Sequence, residues 1–240
     1  SIGYKNSNVK GTGSPRIMLN LDDTADTAAS IYIHNTAGTA TEANKPPVRL
    51  LHDNASGILR VMNGFVGLAY EGDEVSTIGE VHVGPNANAK LDLTKGVTVT
   101  TVTVSAGTCN LSAGATTVRV SSGTLNKFGS GAITTLDVDG GTVDIRGTGT
   151  IGTANLDGGT TYFSSTGTIT TLTVNGNAVA DFTQFADTRT VTNLSVYEGF
   201  TLLLDRQVVT LTNGIDFHRC GVEDGTLQLG KDYTVSLSNI

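Results

Sequence analysis

Ile133–Thr150 reads ITTLDVDGGTVDIRGTGT, Ile151–Thr168 reads IGTANLDGGTTYFSSTGT, and Ile169–Phe185 reads ITTLTVNGNAVADFTQF. All three follow the frame apolar-x-x-apolar-x-apolar-x-x-Gly-Thr-apolar, with Thr161 at the last apolar position of the second copy and Asn177-Ala178 in place of Gly-Thr in the third. The frame reopens at Val99, Ala115 and Val191, starts imperfectly at Ile78, and fits a last time around Val209–Leu211. Starts at 78, 99, 115, 133, 151, 169 and 191 are separated by 21, 16, 18, 18, 18 and 22 residues. That period is the length of one coil of a solenoid.

Each copy supplies two apolar positions separated by one residue, the alternation of a strand and not the spacing of a helix. The pairs are Val81/Val83, Val102/Val104, Val118/Val120, Leu136/Val138, Ala154/Leu156, Leu172/Val174, Leu194/Val196 and Val209/Leu211. Gly107, Gly123, Gly141, Gly159 and Gly199 follow five of the pairs by three residues, and Asn177 follows a sixth. Gly and Asn tolerate positive φ, so the chain is predicted to turn a corner there. A second strand follows the corner, with Cys109 and Leu111, Val143 and Ile145, or Thr161 and Phe163 pointing inward.

One such unit cannot bury its apolar face alone, but stacked coils enclose a continuous core. The prediction is an all-β fold, a parallel β-helix (β-solenoid) of roughly seven to eight coils, about 35–40 Å long at the spacing of neighbouring strands. A right-handed coil is favoured by the handedness of parallel crossovers. The frame has two faults. The inward position after Leu125 falls on Lys127, with Phe128 next, and the one after Val179 falls on Asp181, with Phe182 next. A one-residue bulge in each coil would return the aromatic to the core and the charge to solvent.

The rest of the chain divides around the repeat. Residues 1–75 are expected to form an N-terminal β arm and hairpin region that covers the first coil, residues 76–215 the solenoid, and residues 216–240 a C-terminal cap. In the first segment RIMLNL (Arg16–Leu21) and SIYIHN (Ser30–Asn35) alternate as half-buried strands do, and Asn63–Gly64 is a hairpin signal. A polar loop closed by Pro46–Pro47 joins SIYIHN to the denser block that begins at Val48. Covering the end matters because an open edge strand invites end-to-end stacking.

Composition narrows the function. A net charge of −7 and a pI near 4.9 argue against nucleic acid as the main partner, since phosphates need a basic surface. No run of 18 apolar residues is present to cross a membrane as a helix. The first residues lack the apolar core of a secretory signal. Cys109 and Cys220 lie far apart, and Cys109 falls on an inward position; two free thiols are the expectation, as in a reducing cytoplasm.

Candidate chemistry is sparse. Gly147-Thr-Gly149-Thr-Ile-Gly152 matches a dinucleotide fingerprint, but a β-repeat runs through it where a helix is required. Asp139 and Asp157 occupy equivalent positions in successive coils, with Asp137 and Asp144 nearby; close carboxylates make acid–base pairs. Without Trp, and with 5% aromatics, the chain lacks the platforms of a sugar groove, so a solvated ladder continued by Asn175 is the simpler reading. His34, His52, His82 and His218 fall in separate elements without metal-site spacing. No catalytic residue, cofactor or metal is predicted, and the chain reads as a non-enzymatic protein. Tyr162, Tyr197 and Phe200 sit at nominally outward positions and are candidates for contact with a second chain.

The wording of the repeat carries a resemblance. ITTLDVDGGTV (133–143), TYFSSTGTITTLTVNG (161–176), ADTRTVTNLSVYEGFTLLLD (186–205) and VTLTNGIDFHRCGVED (209–224), preceded by ILRVMNGFVGLAYEGDEVSTIGEV (58–81), look in their order like structural proteins of tailed bacteriophages. The resemblance covers about residues 48–230 and implies a virion component, most like a head decoration (cement) protein on the capsid exterior. It implies the major capsid protein as partner, with assembly in the host cytoplasm. On that reading the alternating residues Ile17, Leu19, Ile31, Tyr32 and Ile33 are the capsid-contact candidates. Tyr162, Tyr197 and Phe200 are the candidates for a homotrimer interface. The alternatives are a tail-fibre or receptor-binding module, a polysaccharide depolymerase acting through Asp139 and Asp157, and, more distantly, a surface adhesin.

Overall fold

The structure is a computed structural model that describes residues 17–21, 30–34, 46–70, 73–184, 187–204, 209–218 and 225–229. It is all-β, with no helix among the described residues, and it winds as a parallel β-solenoid of about nine turns. Every strand pairing among these residues is parallel.

The repeat explains the coil. In the turn built from β11 (Ile133–Val138) and β12 (Thr142–Ile145), Ile133, Leu136 and Val138 point inward from the first strand and Val143 and Ile145 from the second. β11 pairs with β13 (Ile151–Leu156), setting Leu136 on Ala154 and Val138 on Leu156; β12 pairs with β14 (Thr160–Phe163), setting Ile145 on Phe163. The sequence repeat of 18 residues is thus one translation along the axis. Two parallel sheets result. One contains β7 (Val97–Val104), β9 (Ala115–Val120), β11, β13, β15 (Ile169–Val174) and β17 (Arg189–Val196). The other contains β8 (Thr108–Leu111), β10 (Thr124–Lys127), β12, β14, β16 (Val179–Asp181) and β18 (Thr201–Leu204).

The corner from the first sheet to the second needs glycine for two reasons. Gly141 has φ of 80°, and a Cβ there would lie 2.6 Å from the Gly123 carbonyl oxygen of the coil below. Gly107, Gly123 and Gly159 repeat the conformation. In the next coil the positive φ belongs to Gly176, at 57°, and not to Asn177. There the corner holds four residues, Asn175–Ala178, where the coil before has three, Asp157–Gly159.

That insertion resolves one of the two frame faults. The added residue shifts β16 so that Asp181 pairs with Tyr162 on the outer column, and Phe182 enters the core and stacks on Phe163 with ring centroids 4.7 Å apart. The aromatic enters the core as expected, though the corner supplies this and no bulge within the strand is needed; the charge does not reach solvent, since Asp181 is only 6% exposed. At the other fault the expectation fails. β10 stays in register with β8 and β12, placing Lys127 between Leu111 and Ile145 on the inward column, where it is 2% exposed. Phe128 follows at the corner, half-buried.

The parallel ladder also passes the expected boundary at residue 76. β3 (Val48–Val61) bends across both sheets: Val48–Leu50 pair with Val66–Leu68 of β4 (Gly64–Leu68), and its second half pairs with β5 (Ser76–Val83). β3 and β4 are parallel, so Asn63–Gly64 is a solenoid corner and not a hairpin. β1 (Ile17–Leu21) and β2 (Ser30–Ile33) pair in parallel with β3 and form the end turn. At the far end β19 (Val209–Leu211) and β20 (Ile215–Phe217) both pair with β17, and β21 (Thr226–Leu229) pairs with β18. The expected caps are therefore, as far as they are described, further turns of the same helix. Residues 1–16 and 230–240 lie outside the described residues, as does Cys220.

Candidate functional site

Inward columns hold the rod together, so function has to come from the outward ones. On the first sheet Thr101, Thr117, Thr135, Thr153 and Thr171 stand in register, one above another. On the second, Thr108, Thr124, Thr142 and Thr160 do the same. Threonine is β-branched, which suits the strand, and its hydroxyl meets water.

Beside the threonines run amide and carboxylate ladders with a common sense. On the second sheet Asn110 Nδ2 donates to Asp92 Oδ1 at 2.6 Å, and Asn126 Nδ2 donates to Asn110 Oδ1 at 2.8 Å. On the first sheet Asn155 Nδ2 donates to Asp137 Oδ1 at 2.8 Å, and at the corner Asn175 Nδ2 donates to Asp157 Oδ1 at 3.1 Å. In each case an amide N–H donates one coil back to a carboxylate or amide oxygen, an arrangement that fixes coil against coil. Burial pushes the Asp92 carboxyl up, while the bond from Asn110 and the charge of Lys90 pull it back.

The Asp139/Asp157 pair occupies equivalent corner positions as the spacing predicts, and both residues are exposed. Asp157 is engaged by Asn175, Asp137 by Asn155 with Arg119 at 3.8 Å, and Asp144 by Arg146 Nε at 2.8 Å. Three of the four aspartates are thus tied into separate ladders and ion pairs. Each histidine also has its own surroundings. His34 lies against Tyr32, and His52 is buried with Nδ1 3.0 Å from the Thr77 carbonyl oxygen. His82 and His218 sit 3.1 and 3.2 Å from Glu80 and Asp216. No group of three or more His, Cys, Asp or Glu is arranged to hold a metal among the described residues. Cys109 is a buried free thiol whose ionisation is pushed far up by burial and by the charge of Asp92.

The contact candidates divide sharply. Ile31 and Ile33, at 7% and 2% exposure, point into the core, so they cannot meet a capsid while β2 is paired; Tyr32 between them is 42% exposed. Ile17 and Leu19 lie on β1, whose pairing with β3 is described but whose side chains are not. Of the expected interface residues, Tyr162 stands half-buried on the outer column of the second sheet, between Asp144 and Asp181. Tyr197 stands at the corner after β17 and stacks on His218, with ring centroids 4.2 Å apart and ring planes nearly parallel. Phe200 is 7% exposed and belongs to the core, contrary to its nominal outward position. The cause is again the longer corner. With positive φ carried one residue earlier, by Gly199, the last corner position is free to turn a side chain inward, as Ala178 does one coil below. The three aromatics therefore do not make one face.

Two features escaped the sequence reading. Phe217, 37% exposed, lies 6.2 Å from Phe200 and, with the Tyr197–His218 stack, gathers aromatics at the far end of the rod. Lys127 is the other: its ammonium donates to the Phe128 carbonyl oxygen at 2.5 Å, and burial lowers its pKa to about 8. No family model, curated protein or solved structure matches the chain.

Proposed function

We propose that this chain is a bacteriophage capsid decoration protein, a non-enzymatic cement that bridges and stabilises major capsid proteins on the outside of the shell. The order of repeat motifs that resembles tailed-phage structural proteins carries the reading. A stiff stack of turns supports it, because its outward columns spend their polar groups on one another and leave a solvated surface. In this proposal the N-terminal end of the rod, the turn of β1 and β2 with exposed Tyr32, docks between capsomers, and the solenoid projects outward. Contacts made only with the expanded shell stabilise that state by linkage. Modest affinity per site is sufficient when many copies act together.

The chain is proposed to act as a homotrimer. Closed three-fold association fits a three-fold lattice position, and the half-buried Tyr162 and Tyr197 are surface aromatics available to it. Light scattering should give three times 24.8 kDa at micromolar concentration; a mass of one chain counts against the trimer. Purified protein should bind expanded capsids, with Tyr32→Ala weakening binding; labelling confined to virion tails would replace this reading with the second one.

That second reading is a tail-fibre or receptor-binding module, and it is favoured by the aromatics at the far end, Phe217 and the Tyr197–His218 stack. Paired amphipathic rings beside a carboxylate suit recognition of a host-surface glycan.

A further inference from the structure

The chain contains three Asn–Gly dipeptides, Asn63–Gly64, Asn175–Gly176 and Asn213–Gly214, all at turns of the chain. An asparagine followed by glycine is chemically exposed, because no side chain on the next residue shields its backbone nitrogen. At Asn175 the fold adds to this. The residue is exposed at the four-residue corner, and its Oδ1 accepts the Gly176 N–H at 2.8 Å. Since a C=O bond is about 1.23 Å long, the amide carbon lies within about 4 Å of that nitrogen. The opposite side of the amide is anchored, with Nδ2 donating to Asp157 Oδ1 at 3.1 Å.

We infer that Asn175 is a site of spontaneous deamidation built into the solenoid. The Gly176 nitrogen loses its proton and forms a bond to the Asn175 side-chain carbon. The bond from that carbon to Nδ2 breaks, and the nitrogen leaves with the proton as ammonia. Water then opens the five-membered imide at either carbonyl, giving an aspartyl or an isoaspartyl linkage; the sum is amide plus water to acid plus ammonia. The product lacks the donor that Asp157 uses and sets a second carboxylate one strand spacing from it, where like charges repel. The isoaspartyl form also lengthens the main chain by one atom at the corner that fixes the register of β16. The reaction therefore acts as a clock on the joint between the coil of Phe163 and the coil of Phe182.

The other two dipeptides are internal controls. Asn63 makes the same contact, with Gly64 N donating to its Oδ1 at 2.9 Å, but Gly64 is held in β4 opposite Ala89. The Asn213 amide is turned to Asn193, donating to its Oδ1 at 2.6 Å.

The full chain should be incubated folded in mildly alkaline buffer, beside a sample in denaturant, and followed by peptide mapping with isoaspartate detection. In the folded protein Asn175 should convert several-fold faster than Asn63 and than Asn126 of the ladder. Anion exchange should resolve a species with one added negative charge. If Asn175 stays intact when folded while it converts in denaturant, the fold protects the site and the inference is overturned. Asn175→Asp mimics the product and should lower Tm by about 2–4 °C, the shift of roughly 1 kcal/mol in a domain of this size; an unchanged Tm would overturn the loosening of the joint.

Discussion

Two coils of this solenoid meet the same difficulty and solve it in opposite ways. In both, the repeat puts a charged residue where the core needs an apolar one, with a phenylalanine just after it. In the coil of β10 the preceding corner keeps its ordinary length, the strand keeps its register, and Lys127 goes inside. In the coil of β16 the corner is one residue longer, the strand slips, and Phe182 goes inside while Asp181 moves to the outer column. The length of the corner sets the register here, and the side chains of the strand follow, even when one of them is a lysine. Asp181 is then satisfied locally, accepting from Thr183 N and Oγ1 at 2.7 Å each and from Gln184 Nε2 at 3.1 Å.

The largest effect should come from undoing the difference. Deleting Asn177 shortens the corner, returns Asp181 to the inward column and expels Phe182. The cost should be about 4 kcal/mol or more, the sum of a lost buried aromatic and an unpaired buried charge, read by denaturant unfolding. Phe182→Ala keeps the register and removes only the packing against Phe163, so about 3–4 kcal/mol is expected in the same assay.

Lys127 supplies the next. Replacing a buried cation by an apolar side chain of similar length is often stabilising, so Lys127→Met should raise stability by about 1–2 kcal/mol. The pH dependence has a definite sign. The folded-state pKa of Lys127, about 8, lies below its ordinary 10.5, so between those values the unfolded chain binds the extra proton. Stability should therefore rise with pH across that window in the parent, and this rise should be missing in Lys127→Met.

Thr161 gives the smallest. It occupies the inward column with Val143 and Ala180, and its hydroxyl is buried without a hydrogen-bond partner. Thr161→Val should stabilise by about 1 kcal/mol in chemical denaturation, since an unpaired buried hydroxyl is the only thing lost.

These cases mark how far the sequence could be read. The inward pairs from Val81/Val83 to Leu194/Val196 were legible because strand alternation and the glycine corner repeat together, and all fourteen of their residues are buried; Val209/Leu211 pairs instead with Arg189/Val191, and Ile215 and Phe217 take the register of Leu194 and Val196. The slip before β16 was not legible, since Asn177 imitates the expected corner residue while Gly176, one position earlier, adopts the positive φ. The N-terminal turns were hidden for another reason. β3 runs through both sheets without a positive-φ glycine, and its bend around Asn54–Ile58, which contains Gly57, breaks the regular spacing of the repeat. For the outer face, the alignment of Asp139, Asp157 and Asn175 followed from the period, whereas the bond from Asn155 to Asp137 did not. Phe200 could not be placed, because its direction depends on a corner that the period had misnumbered.

The claim that corner length sets register is tested most directly by cross-linking across β14 and β16, in a background with Cys109 and Cys220 replaced by alanine. Tyr162→Cys combined with Asp181→Cys should form a disulfide on oxidation, identified by mass mapping, because the two residues are direct partners. Tyr162→Cys combined with Ala180→Cys should stay reduced. A disulfide in the second pair and none in the first would contradict the account.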